Sequence, residues 1–259
     1  MLTGISTASL FGRYDTEDSV KFLADSGVDV AEVSLSTFSE YEPEFAELLA
    51  RRKGGMKIHS VHSLSTQFEP QLFNASERVR KDAEKIFRRV LECGRIMGAG
   101  YYTFHGAMRL KVIKYNYDFD KIGATLNRLS DIAAEYGIKL AYENVHWCWF
   151  SEPEYFTEIG KRCPDVCATL DVKQAIQSGG DVYSFLAAMR SRLATVHLCD
   201  CVGVETALPG RGGFDFAGFI GALKREGVDA PLILEAYSKD YADVKELITA
   251  YEYIKGLAE

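Results

Sequence analysis

Eight short apolar, strand-like runs recur along the chain: LTGIST (2–7), VDVAEVSLS (28–36), MKIHSVHSL (56–64), GYYTFHG (100–106), IKLAYENV (138–145), VCATLDV (166–172), LATVHLCD (193–200) and PLILEAY (231–237). Between them the apolar spacing changes from two residues to three and four, the spacing of an amphipathic helix. The stretches at 76–99 and 117–137 carry that spacing most clearly, and each ends at a Gly. Strands alternating with helices at intervals of about 30 residues build parallel βαβ units, and eight such units close into a barrel. The pattern therefore predicts an α/β chain, a single (β/α)8 TIM barrel with one domain over residues 1–259. A doubly wound open sheet is the rival. It is disfavoured because no GxGxxG follows the first run, and because polar residues close five or more different runs.

Side chains alternate in and out along a strand. Tyr142, Leu170, Val196 and Leu234 share one parity and would face the helices. Glu143, Asp171, His197 and Glu235 share the other and would point into the barrel, above the mostly small layer Ala141, Thr169, Thr195 and Ile233. All four ionisable groups stand at or near the C-terminal ends of successive strands, where barrel enzymes hold their chemistry. Each alone has an ordinary reading: Asp171 as a helix cap, His197 as a satisfied core histidine, the glutamates as surface carboxylates. Four together on one parity argue for convergence. Three crowded carboxylates repel unless a cation lies between them. Two Glu, one Asp and one His suit one divalent ion, Mn²⁺, Mg²⁺, Co²⁺ or Zn²⁺, with positions left for water or substrate.

Other residues near the strand ends read less uniquely. His62 and His105 close the third and fourth runs with inward parity, whereas His59 has the opposite parity and reads as structural. Trp147, Trp149 and Phe150 follow Glu143 and either wall a ligand site by stacking or pack their loop onto the barrel. Glu32, inward near the end of the second run, either supports the ligands or makes a buried polar contact. His146 reads as a residue that caps or orients its loop, and Lys173 as a surface residue at a helix start. The GRGG at 210–213 is too short to define a phosphate cradle.

Composition narrows the partner. A net charge of −7 and a pI near 5.4 argue against nucleic acid and for a small polar solute. The six cysteines show no paired CxxC spacing, which points to reduced thiols in the cytoplasm. The first residues lack a basic region followed by a long apolar one, and no stretch of about 18 apolar residues occurs, so neither secretion nor a membrane span is expected.

The successive segments YENVH, LDVKQA, VHLCD, LPGRGGFDF and LILEAY resemble the signatures of the sugar phosphate isomerase/epimerase group of the xylose isomerase-like TIM barrels. The resemblance spans nearly the whole chain in strand order and separates activities within the superfamily poorly. It implies that Glu143, Asp171, His197 and Glu235 bind metal, that Glu143 and Glu235 are also the acid/base pair, and that Arg211 contacts substrate oxygens. Members are often dimers or tetramers, which leaves a homo-oligomer open for this chain. The activity implied is isomerisation or epimerisation of a ketose or related hydroxy-carbonyl sugar through an enediolate. Dehydration of an inositol-like ketone and noncatalytic sugar or polyol binding are the alternatives.

One departure stands out. The group commonly has Asp-x-x-His at the sixth strand end, where this chain has Gln174. Gln keeps a donor and an acceptor for a substrate hydroxyl but does not titrate. In the endonuclease branch of the superfamily that histidine, with an Asp and a His after strand seven, holds an additional zinc; the loop here contains no histidine, so apurinic-site cleavage is not expected. His62 and His105, which resemble second-metal ligands of that branch, are assigned instead, with Gln174, Arg211 and Trp147, to the substrate pocket.

Overall fold

The outward-facing half of the strand pattern is mostly apolar, so the sheet can bury that face only under a surrounding layer of helices. In the computed structural model of the chain, which describes residues 1–63, 68–110 and 115–259, it does so. Strands β1 (Thr3–Ser6), β2 (Val30–Leu35), β3 (Lys57–Ser63), β4 (Tyr101–Phe104), β5 (Lys139–Glu143), β6 (Cys167–Asp171) and β7 (Leu193–Leu198) are parallel neighbours in sequence order. A small antiparallel pair, β8 (Asp200–Val202) and β9 (Glu205–Ala207), projects before β10 (Leu232–Leu234), which pairs with both β7 and β1 and closes the barrel. Leu64, the last residue of the third predicted run, lies outside the described residues.

Helices α1 (Thr16–Asp25), α2 (Pro43–Arg52), α3 (Glu77–Met97), α4 (Phe119–Ala134), α5 (Pro153–Gly160), α6 (Val172–Gln177), α7 (Val182–Met189), α8 (Phe216–Arg225) and α9 (Val244–Ala258) complete the chain. The two clearest helical stretches of the sequence are α3 and α4. Gly98 stops α3 in the left-handed conformation at φ 82°, where a side chain would be strained. Tyr102, Phe104, Tyr142, Leu170, Val196 and Leu234 are fully buried in the core between barrel and helices. The Phe87 ring of α3 meets Tyr102 edge-on at 5.2 Å. All six cysteines are free thiols. No described helix is long and apolar enough to cross a membrane.

Strict alternation fails at one place. Ala31 pairs with Ile58 but Glu32 pairs with Ser60, so His59 is the extra residue of a bulge in β3. The bulge lets Ser60 reach Glu32, while His59 Nε2 crosses to the Ala194 carbonyl at 3.1 Å and Thr195 Oγ1 at 3.0 Å on β7. Ala194 is itself skipped where the β6–β7 register shifts. His59 is therefore structural, as its sequence suggested, but its opposite parity is corrected: it ties two bulges together across the barrel.

Burial holds His59 neutral, with its pKa lowered from 6.5 to about 4. Between those values the unfolded chain binds a proton that the folded one refuses, so stability falls as pH falls through that window. His59→Gln, which keeps an amide donor for the Ala194 carbonyl, should therefore lose less stability on acidification from about pH 7 to pH 4, by up to about 3 kcal/mol. Urea denaturation at both pH values measures this; equal losses in parent and variant would contradict it.

Candidate functional site at the barrel mouth

Each strand end delivers its last inward side chain to the same place because the registers align them. Asp171 is level with His197, and His197 with Ile233, one layer below Glu235. One ligand atom each from Glu143, Asp171, His197 and Glu235 lies within 4.8 Å of the others. The first three are buried and Glu235 is partly so, just past the end of β10. Asp171 also satisfies its ordinary reading: its Oδ1 caps α6 by accepting from the Gln174 N–H at 2.9 Å. The cap engages Oδ1 and leaves Oδ2 to other partners.

His197 is held from both sides. Its Nδ1 faces Glu143 Oε1 at 3.1 Å and Glu235 Oε2 at 3.6 Å, while Nε2 lies 3.2 Å from Glu32 Oε2. Glu32 in turn accepts hydroxyls from Ser6, Ser60 and Thr103 at 3.1, 2.8 and 2.6 Å. Glu32 thereby fixes the His197 ring in the orientation that turns Nδ1 to the cluster. Burial opposes ionisation of Glu32, but the charge of His197 and the donated bonds hold it far below the ordinary carboxylate range. Burial likewise disfavours the His197 cation, and Glu32, Glu235 and Glu143 more than reverse this.

His105 Nε2 lies 2.8 Å from Glu143 Oε2, so Glu143 is clamped between two imidazoles. Burial would raise its carboxyl, but both histidines outweigh that and hold it well below the ordinary range. His105 is pushed up to about 9: burial acts downward and Glu143 overcomes it. Burial lifts Asp171 to about 7, with Glu143 and Glu235 adding to the lift and Lys173 opposing it. His62 donates Nδ1–H to the Thr103 carbonyl at 2.8 Å, and its ring meets His105 at 4.4 Å. His62, His105 and Glu143 also bring one ligand atom each within 4.8 Å of one another.

A cavity of about 580 Å³ opens over this cluster, and His62, His105, Glu143, Trp147, Lys173, Gln174, Glu235 and Tyr237 are among its lining residues. Gln174 Oε1 accepts from the His146 backbone N–H and lies 2.5 Å from its Nδ1, so His146 does orient the loop after β5. Of the three aromatics that follow Glu143, Trp147 lines the cavity and meets His105 edge-on at 5.5 Å. Trp149 and Phe150 instead pack the loop, Trp149 against Phe73 and Tyr117, Phe150 against Tyr142 and Tyr155.

Two assignments are corrected and one residue was missed. Lys173, read as a surface residue, is 1% exposed, with its ammonium 2.7 Å from Asp171 Oδ2 and 2.5 Å from Glu235 Oε2. Arg211, read as a substrate contact, is half exposed, lies outside the cavity lining and pairs with Glu246 of α9 at 2.5 Å. Its loop folds onto a carboxylate supplied by the chain itself, which accounts for its turn away from the mouth: buried Asp200 accepts the N–H groups of Cys201, Gly210, Gly212 and Phe214 at 2.8 to 3.0 Å. A Cβ on Gly212 would stand 2.4 Å from Asp200 Oδ1, so glycine is needed for that approach. Glu69, fully buried after β3, accepts the N–H groups of His105 and Gly106 at 2.8 and 2.9 Å and the Tyr102 hydroxyl at 2.6 Å. It positions the end of β4 and hence His105; no periodicity in its segment signals this.

The donor set suits a divalent ion: three carboxylates, and one imidazole whose far nitrogen is already engaged by a carboxylate.

Comparison with known proteins agrees with the architecture. The family model described as xylose isomerase-like TIM barrel matches residues 20–257. Among solved structures, a D-tagatose 3-epimerase-like protein is 22% identical, with a TM-score of 0.81 over 99% of this chain and 97% of its own. D-psicose 3-epimerase from Clostridium cellulolyticum H10, solved with D-tagatose, is 16% identical with a TM-score of 0.82 over 100% of both chains. The IOLI protein, solved with a bound zinc, is 20% identical with a TM-score of 0.82 over 100% of this chain and 98% of its own. At these identities the likeness establishes the fold. No curated protein matches the chain.

The Asp200 cradle makes a separate prediction. Asp200→Ala leaves four backbone donors without their acceptor and should cost about 2–4 kcal/mol of unfolding free energy. Urea denaturation checks it, and a loss below about 0.5 kcal/mol would remove the carboxylate from its proposed place at the centre of the loop.

Proposed function

The chain belongs to the xylose isomerase-like TIM barrel family, and on that premise we propose that it is a metal-dependent isomerase or epimerase of a ketose or related hydroxy-carbonyl sugar. The observation that carries this reading is the convergence of Glu143, Asp171, His197 and Glu235 within 4.8 Å of one another beneath a cavity of sugar size. The zinc and the D-tagatose named for two of the similar structures are consistent with it.

A divalent ion held by these four residues would draw charge from the substrate's carbonyl and neighbouring hydroxyl and make the α-carbon proton more acidic. Glu143 and Glu235 do the proton work. They stand on β5 and just past β10, three strands apart around the barrel, and so reach the substrate from different sides. One removes the α-proton and the other returns one to the opposite face, which inverts the carbon; return to the adjacent carbon gives isomerisation instead. Their environments differ as an acid/base pair requires: Glu143 is buried between two histidines, and Glu235 is partly exposed to the cavity beside Lys173. His62, His105 and Gln174 present polar groups to the substrate hydroxyls, and Trp147 offers an indole wall to its C–H face.

NMR of a ketose panel in D₂O tests the reading. The protein should exchange the α-proton of at least one sugar for deuterium, and Glu235→Gln should stay folded while losing about 100-fold or more of that rate. Water loss instead of exchange would indicate a dehydratase, and bound sugar with neither reaction a binding protein. Full exchange activity in Glu235→Gln would rule out the acid/base assignment.

A further inference from the structure

Lys173 supplies a cation to the ligand set from within the chain. Of the two Asp171 oxygens, Oδ1 is committed to the Gln174 N–H at 2.9 Å, so Oδ2 is the one available to an ion, and Lys173 Nζ sits on it at 2.7 Å. The same ammonium lies 2.5 Å from Glu235 Oε2, the oxygen that faces His197 Nδ1 at 3.6 Å. Lys173 thus occupies one oxygen on each of two of the four residues: the uncapped one of Asp171 and, on Glu235, the one that faces His197. An ammonium and a divalent ion repel strongly at such separations in a water-poor interior.

We propose that Lys173 is a built-in competitor for the metal. It neutralises the ligand carboxylates while no ion is bound, and releases Asp171 Oδ2 and Glu235 Oε2 when one enters. The inference rests on the metal-dependent reading above and adds to it an internal limit on metal affinity. Lys173 already lines the cavity, with Nζ 5.3 Å from the centre of the Tyr237 ring, so the released ammonium has solvent-connected space beside it.

Calorimetric titration of chelator-stripped protein with MnCl₂ tests this. Lys173→Met should bind Mn²⁺ about tenfold more tightly or better than the parent, and its ion-free form should melt at a lower temperature. Equal or weaker Mn²⁺ binding by the variant would overturn the proposal, because a lysine that supports the bound ion gives that result. Failure of both proteins to bind Mn²⁺ would overturn the metal-dependent reading and the competitor with it. The parent alone supplies a second measurement should the variant not fold. Reductive methylation with formaldehyde and cyanoborohydride, followed by peptide mass spectrometry, should modify Lys173 more readily after Mn²⁺ loading. Unchanged or reduced modification would contradict its release.

Discussion

Carboxylates gathered out of water repel one another, and the top of this barrel gathers five: Glu32, Glu69, Glu143, Asp171 and Glu235, the first four of them buried. Repulsion of that kind is tolerable only where positive charge and hydrogen-bond donors are interleaved. His197 lies between Glu32 and Glu143, His105 against Glu143, and Lys173 between Asp171 and Glu235. Glu69 is satisfied instead by two backbone N–H groups and a tyrosine hydroxyl. The remainder of the molecule holds this arrangement in register: eight strands fix the heights of the side chains, and the helices bury the outer face that would otherwise leave the sheet open.

Much of this could be read along the chain because it follows from strand alternation. Parity placed Glu143, Asp171, His197 and Glu235 on one inner surface, and a helical period placed α3 and α4. Readings failed where a contact between distant segments decided the outcome. Nothing local distinguishes the bulge at His59, which depends on its partner Ala194 on the far side of the barrel. Lys173 stands two residues after a helix cap, a position usually solvated, and is drawn inward by Glu235, which is 62 residues away. Arg211 follows a glycine in a loop whose path is set by Asp200, so its side chain reaches Glu246 and not the mouth.

The GRGG loop shows how one sequence feature supports two geometries. The N–H groups of Gly210 and Gly212 converge on the carboxylate of Asp200, and those of Arg211 and Gly213 go to the Leu208 and Cys201 carbonyls, which leaves no cradle for a substrate phosphate at this place. Gln174 has a similar lesson. Where relatives resembling this chain often carry histidine, its amide joins the His146 backbone and ring, coupling the end of β6 to the loop after β5. Both features narrow how the substrate can be held without altering the four-residue cluster beneath it.

Everything proposed for the mouth depends on Glu143, Asp171, His197 and Glu235 forming one divalent-ion site. Crystals grown from chelator-stripped protein and soaked in MnCl₂ test it directly through anomalous scattering. A single strong peak is expected within about 2.0–2.4 Å of an atom from each of the four residues. No peak among them, or a peak bound only by other side chains, would contradict it.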